Sequence, residues 1–327
     1  MKILYIYRNP NMGISIGKVF KPIEQEMEKY AEVKSIILPC SNYSLTSMWK
    51  NIRFTLRSIN NTHYDIIHIT GTENYLLPFL KNKNVIVTVH DIGSIISQKK
   101  ALMVYLKKTL FISTLKFAKF VTFISETSQI ETLKFVSLLP NRHKVIHNPI
   151  SNDFPFSAKI FNKENPQILH IGTKQNKNLS NTILAIKDTN YKLTIIGSLT
   201  DDQIQLLKEN KISYTNKINI SDKALYEEYE KCDIVNFPSL YEGFGMPIIE
   251  GQSVGRVVVT SNLSPMKEIA GEAAILVNPY DIESIKEGYQ RAINNHDVYI
   301  KKGLENIKRF QLQDITRQYL NLYKFSS

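Results

Sequence analysis

The sequence predicts an α/β protein made of two successive doubly wound domains, and three observations predict it. Apolar, β-rich runs alternate with helical patterns from end to end. Those runs are near-continuous in Ile, Val and Leu rather than alternating, as expected of strands buried on both faces of a parallel sheet. The alternation pauses at Asn148-Pro149-Ile150-Ser151-Asn152-Asp153, a cluster of turn formers near the middle of the 327 residues. That length suits two cores of about 150 residues each.

In the first half the expected strands are residues 2–7, 33–38, 65–70, 85–90, 120–125 and 144–147. Helical patterns fall between them at 18–30, 47–59 and 101–116. In the second half strands are expected at 167–171, 192–197, 233–238, 256–260 and 274–277. Beyond Tyr280 the chain reads as helical, with Asp281 as an N-cap and Ile282, Ile285, Tyr289 and Ile293 on one face. Two sets of β-α units give two Rossmann-like domains, drawn at 1–150 and 151–311.

Composition narrows the class. Hydrophobic residues make up 43% and charged residues 22%, as in ordinary globular chains. No apolar run reaches the ~18–20 residues of a membrane span. The opening run Met1 to Tyr7 is too short for a signal-peptide core and is interrupted by Arg8-Asn9-Pro10, so a cytoplasmic protein is expected. Cys40 and Cys232, far apart in sequence, read as packing residues. The net charge of +11 is uneven: residues 1–150 carry 20 Lys+Arg against 9 Asp+Glu, whereas the remainder carries 21 of each. An anionic partner is expected for the first half, either a membrane surface, a phosphorylated acceptor or nucleic acid.

The segment richest in chemistry is Pro238-Ser239-Leu240-Tyr241-Glu242-Gly243-Phe244-Gly245-Met246-Pro247-Ile248-Ile249-Glu250. A strand runs into a loop with two glycines, and Pro247 fits the first position of a helix. Glycines let backbone approach a ligand, and a helix start presents free N–H groups. This combination at the carboxyl end of a parallel strand suits a diphosphate. Glu242 in the loop and Glu250 on the first helical turn would repel phosphate, but they can accept hydrogen bonds from the hydroxyls of a ribose and a hexose. The plain alternative is a strand–loop–helix turn with Glu242 solvated and Glu250 as a helix-start charge.

Glu242 and Glu250 make the E-x7-E pattern, and residues 238–250 resemble the signature of family 4 retaining glycosyltransferases with the GT-B fold. Gly255-Arg256-Val257-Val258, Pro265-Met266-Lys267-Glu268 and Gly271-Glu272-Ala273-Ala274 match in type and spacing, so the likeness covers about 160–325 well and the first half loosely. The resemblance implies two facing Rossmann-like domains with a cleft between them. The terminal helix, 312–327, would return to the first domain. It gives Glu242 to the donor sugar's hydroxyls and Glu250 to the ribose. The backbone of Phe244, Gly245 and Met246 would approach the sugar and diphosphate, with Pro247 starting the helix. In Gly172-Thr173-Lys174-Gln175-Asn176-Lys177 it gives Lys177 to the diphosphate. Thr173 stands where the family has an Arg, leaving Lys174 or backbone N–H groups as the second donor. Gly197 and Ser198, at another strand end, would line the nucleotide pocket.

In the first domain His90, ending the strand at 85–90, matches a histidine close to the donor sugar, and Asp91 either holds its ring or caps a helix. Gly13 and Gly17 would let the loop at 9–17 bend towards the acceptor side, although the family's adjacent glycines are lacking. His68 and Gly71 end another strand, where His68 reads as packing. Residues 99–120 mix Lys99, Lys100, Lys107, Lys108, Lys116 and Lys119 with apolar side chains. They read either as a domain helix with a solvated face or as a segment lying on an anionic membrane.

The expected reaction moves a sugar from a UDP- or GDP-linked donor to the hydroxyl of a glycan or lipid-linked acceptor in bacterial polysaccharide or glycolipid assembly. The nucleotide sugar is a substrate, so no cofactor is expected, and no metal cluster is visible in the sequence. By resemblance the configuration is retained through a front-face route, in which the leaving phosphate helps take the acceptor proton. A sugar-nucleotide epimerase with the same layout is the alternative, and product analysis separates the two. A basic nucleic-acid-binding protein would account for the charge but leave residues 238–250 without a purpose.

Overall fold

The structure, a computed structural model, describes residues 1–60, 62–93 and 108–326. The chain divides into two compact units. One comprises Met1–Pro149 together with the chain from Gln311, and the other is Ile150–Phe310.

The first unit is built on a parallel sheet of six strands: β1 (Lys2–Tyr7), β2 (Glu32–Ile37), β3 (Ile66–Ile69), β4 (Val85–Val89), β5 (Phe120–Phe123) and β6 (His143–Val145). Their order is β2-β1-β3-β4-β5-β6. The central strands β3, β4 and β5 are buried at every residue, as their unbroken apolar runs require. The edge strand β2 departs from that rule, being exposed at Glu32, Lys34, Ser35 and Ile37. Helices α1 (Ser15–Met27), α2 (Leu45–Asn60) and α3 (Glu126–Leu133) cover the sheet. The first begins and ends three residues earlier than its apolar spacing predicts.

The second unit has strands β7 (Gln167–Ile171), β8 (Lys192–Ile196), β9 (Tyr214–Lys217), β10 (Ile234–Phe237), β11 (Val257–Ser261) and β12 (Ile275–Val277), ordered β12-β11-β10-β7-β8-β9. All its pairings are parallel. Strand β9 has no counterpart in the sequence reading. Its residues Tyr-Thr-Asn-Lys lie at a sheet edge, partly exposed, so burial imposes no apolar pattern on them. The helices are α4 (Leu179–Ala185), α5 (Asp201–Glu209), α6 (Asp222–Lys231), α7 (Met246–Val254), α8 (Met266–Ala270) and α9 (Ile282–Asn306). Asp281 caps α9 by accepting from the Glu283 N–H.

The chain then re-enters the first unit as α10 (Leu312–Ser326). Ile315, Tyr319 and Tyr323 join Ile3, Tyr5 and Phe20 in one apolar cluster. The Tyr323 hydroxyl lies 2.5 Å from His68 Nδ1 and 3.0 Å from Tyr5 Oη, all fully buried. His68 therefore belongs to the core and not to a binding surface, its Nε2 bonded to Thr88 Oγ1 at 2.8 Å. Tyr323→Phe should destabilise the protein by about 1–3 kcal/mol, because His68 Nδ1 is left unpaired in a dry interior. Urea denaturation would measure this, and an unchanged midpoint would remove the assignment.

The helix expected at 101–116 lies partly outside the described residues, as do Lys99, Lys100 and Lys107. Residues Lys108–Ile112 form a π-helical turn and Ser113–Phe117 a 3-10 turn. Phe111, Ile112 and Leu115 pack in the core of the unit, so these apolar groups are not offered to a membrane. Among the described residues no helix is long and apolar enough to cross a membrane.

Candidate active site

In the second sheet the chain winds from β7 outward to β8 and β9, then returns to place β10 on the other side of β7. Doubly wound sheets bind ligands beyond the carboxyl ends of the two strands at such a reversal. The loops leaving β7 and β10 are the two segments singled out in the sequence, and they converge. The Leu240 N–H donates to Asn176 O at 2.8 Å, Asn178 Nδ2 to Pro238 O at 3.2 Å, and Asn176 Nδ2 to Tyr241 O at 2.9 Å.

Across this junction Lys177 Nζ donates to Glu242 Oε1 at 2.6 Å. The side chains are 20% and 15% exposed, so the pair is screened from water yet open to it on one side. The Lys177 ammonium also lies 4.8 Å from the centre of the Phe237 ring, a cation–π contact. Asn176 Nδ2 is a second donor to Glu242 Oε1 at 3.3 Å. Both donors fall on the same oxygen, Oε1. The resemblance gives Lys177 and Glu242 separate tasks, whereas here each holds the other.

Gly172 makes the Lys177 position possible. Its φ is +93°, and a Cβ there would lie 2.8 Å from Lys177 Cγ. Gly172→Ala is expected to push the lysine stem aside and to cost about 1–2 kcal/mol of stability from the left-handed backbone. If the site is catalytic, kcat/KM should fall about tenfold, a loss equivalent to ~1.4 kcal/mol of transition-state stabilisation. Unaltered steady-state kinetics would show that the approach is not needed.

Thr173, Gly197 and Ser198 are brought together. Thr173 Oγ1 donates to Ser198 O at 2.6 Å, and a Cβ at Gly197, φ +134°, would crowd the Thr173 side chain at 3.1 Å. The threonine hydroxyl thus ties two strand ends together instead of replacing a cation. Lys174 is exposed, with no ion pair among the described residues.

The loop after β10 turns at Gly245, φ +114°, which is the N-cap of α7. The Phe244 side chain is buried edge-on against Phe310 at 5.9 Å, so only its backbone can face a ligand. Met246 is the first helical residue and Pro247 the second, one position later than expected. Glu250 is consequently the fifth residue of α7, past the first turn. A partner that the sequence did not disclose holds it: the buried Tyr229 hydroxyl, from α6, donates to Glu250 Oε2 at 2.6 Å. Burial, with the Glu250 charge, holds that phenol well above its ordinary pKa, so it remains a donor at neutral pH. No spacing rule links Tyr229 or Asn176 to the two acids, and only the folded chain reveals them.

In the first unit His90 follows β4 and donates from Nε2 to Thr70 O at 2.8 Å. Burial pushes it down to about 4, so the ring is neutral at pH 7. Asp91 does not hold the ring; its Oδ1 caps the Gly93 N–H at 3.0 Å. Gly13 closes a 3-10 turn at φ +117°, where a Cβ would lie 2.9 Å from Arg8 Nη2. Gly17 plays no such part. It is the third residue of α1 rather than a loop residue, and a Cβ there would meet nothing within 4 Å. Among the described residues no group of three or more His, Cys, Asp or Glu could hold a metal ion.

Residues 152–308 match the family model of glycosyl transferases group 1. The O-antigen chain mannosyltransferase B of Escherichia coli is 26% identical over 280 residues, covering 77% of this chain and 72% of that one. Among solved structures, sucrose-phosphate synthase from Thermosynechococcus elongatus aligns over 99% of this chain and 98% of its own, with a TM-score of 0.83 at 15% identity. The Anabaena HepE protein in complex with UDP and glucose aligns over 99% of both chains, with a TM-score of 0.76 at 16% identity. These likenesses establish the α/β fold as the GT-B type.

Proposed function

We propose, on the premise that the second unit of this chain belongs to the glycosyl transferases group 1 family, that the protein transfers a mannosyl residue from a UDP- or GDP-linked donor to an acceptor hydroxyl, with retention of configuration. The observation that carries this reading is the Lys177–Glu242 pair at the reversal point between β7 and β10. An ordinary surface would gain little from pairing a half-buried cation and acid beside a glycine turn and a helix start. A nucleotide-sugar site needs both. As the diphosphate arrives, Lys177 moves its hydrogen bonds to phosphate and stabilises the charge that grows on the leaving group, without a metal. Glu242, released, accepts from hydroxyls of the donor sugar, while Glu250, oriented by Tyr229, accepts from the ribose. Gly172, Thr173, Gly197 and Ser198 line the nucleotide side, and the N–H groups at Gly245 and Met246 face the diphosphate. Neutral His90, Gly13 and Gly17 are assigned to the acceptor side, on the first unit.

The relative named as an O-antigen chain mannosyltransferase supports a mannosyl donor and a glycan acceptor. The basic excess of residues 1–150 suits an anionic acceptor or lipid surface. A thermal-shift screen of UDP-, GDP- and ADP-sugars tests the reading. One donor at about 100 times its Kd should stabilise the protein by ~2.7 kcal/mol. The absence of a shift with every nucleotide sugar would defeat the proposal.

A further inference from the structure

The first sheet has its own reversal point. Strand β1 lies between β2 and β3, so the crevice position is beyond the carboxyl ends of β1 and β3, where Ile6 pairs with Ile69. Arg8 leaves β1 at that edge, and Gly71-Thr72-Glu73 leaves β3. Tyr43, between β2 and α2, joins them.

The Tyr43 and Thr72 hydroxyls are hydrogen-bonded at 2.8 Å, and both reach Glu73 Oε1, at 3.4 and 3.5 Å. The Tyr43 ring is braced edge-on by Phe111 at 4.9 Å and Tyr75 at 6.3 Å, yet the residue remains 39% exposed. Glu73 beneath it is only 1% exposed, and its Oε2 has no hydrogen-bond partner among the described residues. Gly71 packs so closely that a Cβ would lie 3.1 Å from that oxygen. Arg8, tied by Gly13 O at 3.1 Å and Ser15 Oγ at 3.5 Å, acts electrostatically on Tyr43, Glu73 and His90.

A buried acid with one idle oxygen is costly to a fold and needs another reason to be there. A rigid, half-open tyrosine face beside a hydroxyl and a guanidinium suits one chemical class. The ring takes the C–H face of a pyranose, while the donors take its oxygens. We propose that Tyr43, Thr72 and Arg8 form a saccharide subsite for the acceptor on the first unit, with Glu73 as the positioning acid beneath them. As an acceptor subsite it rests on the glycosyl-transfer reading above.

Burial raises the Glu73 carboxyl to about 7, against the opposing charge of Arg8. Among the described residues the titratable groups facing it are Arg8, Tyr43 and Tyr75, and both phenols remain protonated at neutral pH. Neutral Glu73 leaves the Tyr43 and Thr72 protons for a sugar, and ionised Glu73 draws them inward. Saccharide affinity should therefore be highest below pH 7 and decline above it.

The probe is methyl α-D-mannopyranoside, titrated by protein-observed NMR into wild type, Tyr43→Ala, Tyr43→Phe and Glu73→Gln, each checked for folding by circular dichroism. Tyr43→Ala should weaken binding about three- to tenfold, the range of an aromatic contact. Tyr43→Phe keeps the ring and should lose less. Glu73→Gln should flatten the pH dependence around neutrality, an effect that loss of packing alone would not produce. UDP and GDP binding, followed in parallel, should be equal in all four proteins. Mannoside binding that is undetectable in wild type, or unchanged in the three variants, overturns the subsite while leaving the donor reading intact. Binding lost in the variants without any nucleotide binding supports a saccharide site and overturns the transfer reading instead.

Discussion

Lys177→Ala should lower kcat/KM for the proposed nucleotide-sugar donor about 10- to 150-fold, the equivalent of a charge-assisted hydrogen bond of ~1.5–3 kcal/mol. The fold should persist, because the pair is part-exposed and Asn176 still bonds Glu242 Oε1. Glu242→Ala should cost at least as much, since it removes both the carboxylate proposed for sugar hydroxyls and the group that holds the lysine. The double variant is the sharper measurement. With the two atoms 2.6 Å apart, the effects cannot be independent. The double variant should recover about 1–2 kcal/mol relative to the sum of the single changes. Strict additivity would mean that the ion pair has no part in catalysis, and wild-type turnover in either single variant would remove the site assignment.

Acidification from pH 7 to 5 weakens both units through histidines held neutral by burial. His68 and His170 are pushed down to about 3 and His90 to about 4, from an ordinary 6.5. For each, the unfolded chain takes up a proton that the native state refuses. Its stabilising contribution is complete above pH 6.5 and declines as pH falls, by roughly 2 kcal/mol per histidine at pH 5. The first unit contains two of them, but Glu73 works in the opposite direction. Its pKa is raised from 4.5 to about 7, so folding takes up a proton and stability increases as pH falls from 7 towards 4.5. Over the same interval this restores ~2 kcal/mol, leaving each unit with a net loss of about 2 kcal/mol. Glu73→Gln removes the compensation, and the first unit should then lose about 4 kcal/mol between pH 7 and 5. Urea midpoints at the two pH values, followed by probes in each unit, test this. Parallel slopes for wild type and variant would show that Glu73 is ionised throughout.

Much of the fold was legible because parallel strands buried on both faces must be apolar, and runs such as Val85–Val89 and Val257–Ser261 have no other use. Where burial is absent the signal fails, as at β9. In the candidate site the glycines and acids were readable because backbone shape and charge are local properties. Their partners were not. Tyr229 reaches Glu250, and Arg8, Tyr43 and Glu73 meet, only because the strand order brings distant segments to one edge. Gly17 shows the converse: a glycine expected in a loop lies in the first turn of α1.

The return of α10 to the first sheet sets an order of events during synthesis. The strands of the first unit are made before the second unit, but the tyrosines that close over Tyr5 and His68 are made after it. The second unit has all its strands in hand before then and can complete itself first. Until the C-terminal helix emerges, His68 lacks its phenol partner and the apolar cluster around Phe20 lies open.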